Sequence, residues 1–173
     1  MAKLIVKNNH FGYSRQTAEL LQTLPESYTV YTGAVRALMT EEPSEFLVVG
    51  PTGIFGLETA EAAGKYTGVT VNGFLFFTAV DSAKAKQVTN PLNAAVLNSG
   101  SLSGILRRKG LPGTMQYAAY FPAATELDIK QTSPRFTMHP FSSGEALLQF
   151  ITGGETVLSE SDVAAICAAV ESL

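Results

Sequence analysis

A single cysteine, Cys167, excludes an internal disulfide framework. It lies among alanines in an apolar C-terminal segment, where a buried, unreactive thiol is expected. Histidine is almost as scarce, with only His10 and His139. No Gly-x-Ser-x-Gly elbow accompanies them, and no Cys/His spacing marks a metal site. A basic excess is missing too: 12 Lys and Arg stand against 15 Asp and Glu, for a net charge of −3. That balance argues against nucleic acid as a partner, because phosphate binding needs a basic stripe that displaces counterions. The one basic cluster, Arg107, Arg108 and Lys109, falls at a helix end, where it complements the helix dipole. No apolar run approaches the ~20 residues that span a bilayer. The first residues lead straight into a strand-like segment without signal-peptide architecture, so a cytoplasmic location is expected.

What is present describes a globular chain. Hydrophobic residues make up 46% of the 173 and charged residues 16%, enough apolar surface for a sizeable core. Leu4-Ile5-Val6, Tyr28 to Tyr31, Phe46 to Val49, Gly73 to Phe77 and Thr114 to Phe121 read as strands. Helices are expected after the cap Ser14, over Leu57 to Lys65, in one or two pieces between Pro91 and Lys109 interrupted at Asn98-Ser99-Gly100, around Glu145 to Ile151, and from Ser159 onward. Ser159 and Asp162 have the spacing of a capping box. Ala123 to Ser143 shows no period and reads as a surface excursion. Continuous apolar strands alternating with helices predict an α/β fold with a three-layer, doubly wound, parallel five-stranded sheet. No linker or repeat divides residues 1–173, so a single domain is expected.

In such a sheet, ligands collect beyond the carboxyl ends of the strands. Three loops are expected to meet there. The first, Asn9-His10-Phe11-Gly12-Tyr13-Ser14, runs into a helix N-terminus, where free N–H groups attract an anion. His10 is its one group able to titrate near neutral pH. The second, Pro51-Thr52-Gly53-Ile54-Phe55-Gly56, offers glycines around an Ile-Phe pair that could cover a flat ring. The third, Thr78-Ala79-Val80-Asp81, offers polar groups for a ring edge.

The first strand followed by x-x-x-Gly-x-Ser and a helix resembles the phosphate loop of flavodoxin-type proteins, usually Ser/Thr-x-Thr-Gly-x-Thr. Gly12 and Ser14 match, and Asn9 and Phe11 stand where hydroxyl residues are usual. Phe46 to Gly56 resembles that family's third strand and flavin-flanking loop, and Phe74 to Asp81 its fourth strand and second flavin loop. Thr114 to Phe121 is loosely similar to the flavodoxin-like protoporphyrinogen oxidases. The resemblance implies the strand order 2-1-3-4-5 and a noncovalent FMN. It places the phosphate at Asn9 to Ser14 and the ring between the second and third loops. It also implies electron or hydride transfer, as in an FMN-dependent oxidoreductase with a redox partner. Two alternatives stand beside it. One is a domain of the same fold that binds another phosphorylated metabolite without redox activity; the other is a structural domain with no ligand.

Overall fold

The computed structural model describes residues 1–8, 10–37, 42–132 and 137–173. It is an α/β protein with two mixed sheets. The larger carries six strands: β1 (Lys3–Val6), β2 (Thr29–Thr32), β3 (Phe46–Gly50), β4 (Gly53–Thr59), β8 (Met115–Tyr120) and β10 (Met138–Phe141), in the order β1-β2-β3-β4-β8-β10. The smaller contains β5 (Gly64–Val69), β6 (Phe74–Ala79), β7 (Lys86–Thr89) and β9 (Ala124–Lys130), in the order β7-β6-β5-β9. Five helices accompany them among the described residues: α1 (Arg15–Gln22), α2 (Pro91–Ser99), α3 (Ser101–Arg108), α4 (Gly144–Thr152) and α5 (Glu160–Glu171).

The expected parallel sheet in the order 2-1-3-4-5 is corrected on two counts. First, β1 pairs only with β2 and so lies at the sheet edge rather than between two strands. Second, β3 runs antiparallel to both its neighbours, β2 and β4, whereas β1, β2, β4, β8 and β10 run in one direction. The cause is local. Gly50 pairs with Gly53 around the two-residue turn Pro51-Thr52, so the chain reverses at once into β4 instead of crossing over through a helix.

That hairpin also overturns the reading of Gly50 to Gly56 as a loop and of Leu57 to Lys65 as a helix. Ile54 and Phe55 are strand residues and fully buried. Ala60 to Ala63 has helical propensity over only four residues, too few to nucleate against two strands that bury their side chains. The chain instead passes from one sheet to the other there. β8 and β9 make the same passage alongside: Thr59 pairs with Tyr120 in the first sheet and Gly64 with Ala124 in the second. The presumed excursion from Ala123 to Ser143 therefore contains two strands, β9 and β10, with 133–136 outside the described residues.

The helices fall largely where the sequence puts them. Ser14 caps α1 by accepting from Thr17 N, and Ser159 and Asp162 form the capping box of α5. Arg107 and Arg108 occupy the last turn of α3. α1 and α4 cover one face of the large sheet, packing Leu21, Leu147 and Ile151 on Val30, Phe46, Val48 and Phe55. α3 and α5 cover the other, with Leu102, Leu106, Ile166 and Val170 against Tyr31, Leu47, Val49 and Ile54. Cys167 in α5 is half-buried rather than sealed in. The inner face of the small sheet packs Tyr66, Leu75 and Phe77 with Leu92 of α2 and Phe121. Its outer face leaves Phe74 and Phe76 exposed, so β6 is buried on one side only, not on two as its apolar run suggests. No helix among the described residues is long and apolar enough to cross a membrane.

Candidate functional site

Five strands of the large sheet point their carboxyl ends to one edge. The chain leaves β1 there through Lys7 and Asn8, and leaves β2 through Gly33, Ala34, Val35 and Arg36. These two segments face Ser101 and Ile105 of α3 and Leu173, enclosing a cleft of about 390 Å³. That size suits a small ligand. Gly33 has φ +62°, and a Cβ there would come within 2.9 Å of the Asn8 Cβ, so both conformation and space require glycine where the two segments touch. Lys7 Nζ donates to the carbonyl of Glu171 at 2.6 Å, which holds the ammonium across the end of α5. Ser101 Oγ donates to the Arg36 carbonyl at 3.2 Å, tying the far wall to α3. Among the described residues neither Lys7 nor Arg36 forms an ion pair. The cleft thus presents two cations, a serine and an asparagine over an apolar floor.

Behind the cleft wall lies a group of carboxyls. Ser44 braces the wall directly: its N–H donates to Val35 O at 2.7 Å, its carbonyl accepts from Gly33 N at 3.0 Å, and its Oγ accepts from Val35 N at 3.4 Å. The next residue, Glu45, is 7% exposed and accepts from Ser14 N at 2.9 Å and from Thr59 N at 2.6 Å. Its own N–H donates to Glu58 Oε1 at 3.1 Å, and Asn98 Nδ2 donates to the same oxygen at 3.2 Å. Gly56 makes that last contact possible, since a Cβ there would lie 2.1 Å from Ser99 Oγ and push α2 off the sheet. Glu61 accepts from Ser14 Oγ at 2.5 Å.

Desolvation dominates the protonation of this group. It pushes Glu58 up to about 8, assisted by the charges of Glu45 and Glu42 and opposed by the hydrogen bonds from Glu45 N and Asn98. Glu45 is raised as well, by desolvation first, against the hydrogen bonds from Ser14 and Thr59 and with the Glu61 charge adding to the shift. A carboxyl that titrates near 8 can give or take a proton at physiological pH. Among the described residues, no group of three His, Cys, Asp or Glu side chains is arranged to hold a metal ion.

Comparison with models of known protein families, with curated proteins and with solved structures finds no match to this chain.

The structure separates the three loops expected to meet. His10, Phe11, Gly12, Tyr13 and Ser14 lie at the cleft end of the sheet, and Asn9 lies outside the described residues. His10 is exposed, with its N–H donating to Asn8 Oδ1. Tyr13 packs edge-on against Phe46, and a Cβ at Gly12 would meet open space. The anion at the α1 N-terminus is the protein's own: Glu45 takes Ser14 N, and Glu61 takes the Ser14 hydroxyl.

Pro51 to Gly56 belongs to the opposite end of the sheet. Thr52 Oγ1 donates to Ile151 O, Pro51 O accepts from Val157 N and Leu158 N, and Phe55 stacks edge-on with Phe150 in the core. Thr78 and Ala79 end β6, followed by exposed Val80 and Asp81. This third segment is joined to the first through the 60–63 passage, because Val80 N donates to Ala63 O while Glu61 reaches Ser14.

A second groove, of about 660 Å³, lies at the Pro51 end between Leu158, Val163 and Cys167. It is larger, but its only charged lining residues are Glu26 and Glu160, which repel an anion. Sequence reading did not single out Lys7, Arg36, Glu45 or Glu58. The available signal was the Thr-Gly step at the end of β2, facing the Lys-Asn step at the end of β1.

Proposed function

We propose that this protein binds a small, phosphate-bearing molecule in the cleft beyond the carboxyl ends of β1 and β2. The observation that carries the reading is that two cations, Lys7 and Arg36, line one ligand-sized cleft, with no ion pair to an acidic group among the described residues. Lys7 supplies a point charge and Arg36 a planar fork that suits phosphate oxygens. The apolar wall of Ile105 and Leu173 leaves room for the rest of the ligand. FMN is the ligand to try first, since the first loop's resemblance to flavodoxins names it. The strand order gives that specific choice no support, and a phosphorylated metabolite without redox chemistry fits the cleft equally.

Binding of FMN, AMP and inorganic pyrophosphate, followed by calorimetry, tests the proposal. At least one should bind, and weaken steeply as salt is raised. Lys7→Ala and Arg36→Ala should each cost about tenfold or more in affinity, the usual worth of a charge-assisted hydrogen bond. Riboflavin, which lacks the phosphate, should bind much more weakly than FMN if FMN is the ligand. Equal affinity with and without phosphate, or no effect of either substitution, contradicts the proposal.

A further inference from the structure

We infer that the outer face of the small sheet docks a second copy of this chain, face to face across a two-fold axis, in a weak and reversible dimer. The inference does not rest on the ligand reading.

Phe74 and Phe76 of β6 are 41% and 45% exposed, and their rings meet edge-on with centroids 5.8 Å apart. Single apolar side chains in water are ordinary, whereas two adjacent phenylalanine rings on one sheet face form a patch that a partner can cover. α2 packs on the inner face of this sheet through Leu92 and Val96, while α1, α3, α4 and α5 pack on the large sheet. Among the described residues no helix covers the outer face.

Strand register fixes what surrounds the rings. Alternate side chains share a face, and Leu127 and Ile129 of β9 pack inward. Glu126, Asp128 and Lys130 therefore stand on the outer face with Phe74 and Phe76, and all three are exposed. One rung runs Phe76–Thr67–Asp128 across β6, β5 and β9. The next holds Phe74 on β6 and Lys130 on β9, where Lys130 pairs with Val69. On the other side of the Phe76 rung, Lys65 forms an ion pair with Glu126 at 2.9 Å. Asp128 and Lys130 form none among the described residues.

This arrangement is complementary to itself. A two-fold axis crossing the strands midway between the two rungs sets each Phe76 on Phe74 of the partner subunit. The same rotation sets each Asp128 on Lys130 of the partner subunit, so the unpaired charges are matched twice. Nucleic acid fits less well, because Glu126 and Asp128 repel phosphates that would follow bases stacked on the rings. By strand spacing and rise, two such four-stranded faces bury on the order of 1,000 Å² in total when they meet. That is the small end of specific interfaces, so the dimer should form at high concentration and dissociate on dilution.

Sedimentation velocity from ~5 to ~500 μM tests the inference, a span suited to a micromolar dissociation constant. The wild type should pass from monomer towards dimer within it. Phe76→Thr, which keeps a strand-forming residue, and Asp128→Lys, which sets lysine against lysine, should each weaken association about tenfold or more. Combining Asp128→Lys with Lys130→Asp restores the match with the signs exchanged, and should recover most of the wild-type association. If Phe76→Thr fails to fold, the two charge variants decide, since both positions are exposed. A wild type that stays monomeric throughout overturns the inference. So does a dimer that Asp128→Lys leaves intact, or one that it weakens and the double exchange does not restore.

Discussion

Phe55→Ala should lower the unfolding free energy by about 3–5 kcal/mol, with no change in affinity for any ligand. The ring is fully buried, lies between the β4 backbone and α4, and meets Phe150 edge-on with centroids 5.6 Å apart. Its truncation leaves a cavity between the sheet and α4, which rigid strands on one side and a helix on the other cannot collapse to fill. Denaturant melts with and without ligand separate this role from ring-stacking on a flavin. A loss below ~1 kcal/mol together with weakened FMN binding would return Phe55 to a binding site and contradict the hairpin.

The second large effect is on pH. Glu58 has a folded pKa of about 8 against an ordinary value of 4.5. Because the folded value is raised, the protonated form is favoured by folding. The stabilisation is fully present below pH ~4.5, declines as pH rises through the interval, and is gone above about pH 8. At about 1.4 kcal/mol for each tenfold change in proton affinity, the full difference is on the order of 5 kcal/mol. Glu58 is only half-buried, so water recovers part of that, and a loss of about 2–4 kcal/mol is expected between pH ~5 and pH ~9. Glu45 is shifted in the same direction and adds to the trend. In Glu58→Gln the curve should be much flatter. A wild type equally stable at both ends of the range would mean that Glu58 is solvated and ionised throughout.

Much of the fold was legible because its signals are local. Ser14, Asn90 and Ser159 each cap the helix that follows, and the pairing of Ser159 with Asp162 needs only three residues of context. The break between α2 and α3 was likewise readable at Asn98-Ser99-Gly100. Strand direction was not. Phe46 to Gly50 is buried on both faces whichever way it runs, so its apolar run carries no information on whether its neighbours are parallel. The information lay in Pro51-Thr52 between two glycines, a hairpin turn that looked like a flexible loop because Ile54 to Thr59 was credited with helical and loop character.

The same error displaced the site. With β4 read as loop and helix, Phe55 seemed available to a ligand, and Glu58 fell on a helix surface rather than at a strand end beside Asn98. Lys7 and Arg36 are ordinary surface cations in sequence. Only the pairing of β1 with β2 makes them neighbours. Glu45 gave no signal either, since its desolvation comes from α1, β4 and the passage between sheets, each distant in the chain.

The β1–β2 cleft is the proposed site of a phosphate-bearing ligand. Its most direct test is a nitrogen-15 amide titration of the protein with FMN, AMP and inorganic pyrophosphate in turn. The prediction is saturable shifts, from at least one probe, that concentrate on Asn8, Gly33, Ala34, Val35, Arg36 and Ser101. Shifts that instead map to Pro51, Leu158 and Val163 at the opposite end of the sheet, or that never saturate with any probe, would contradict it.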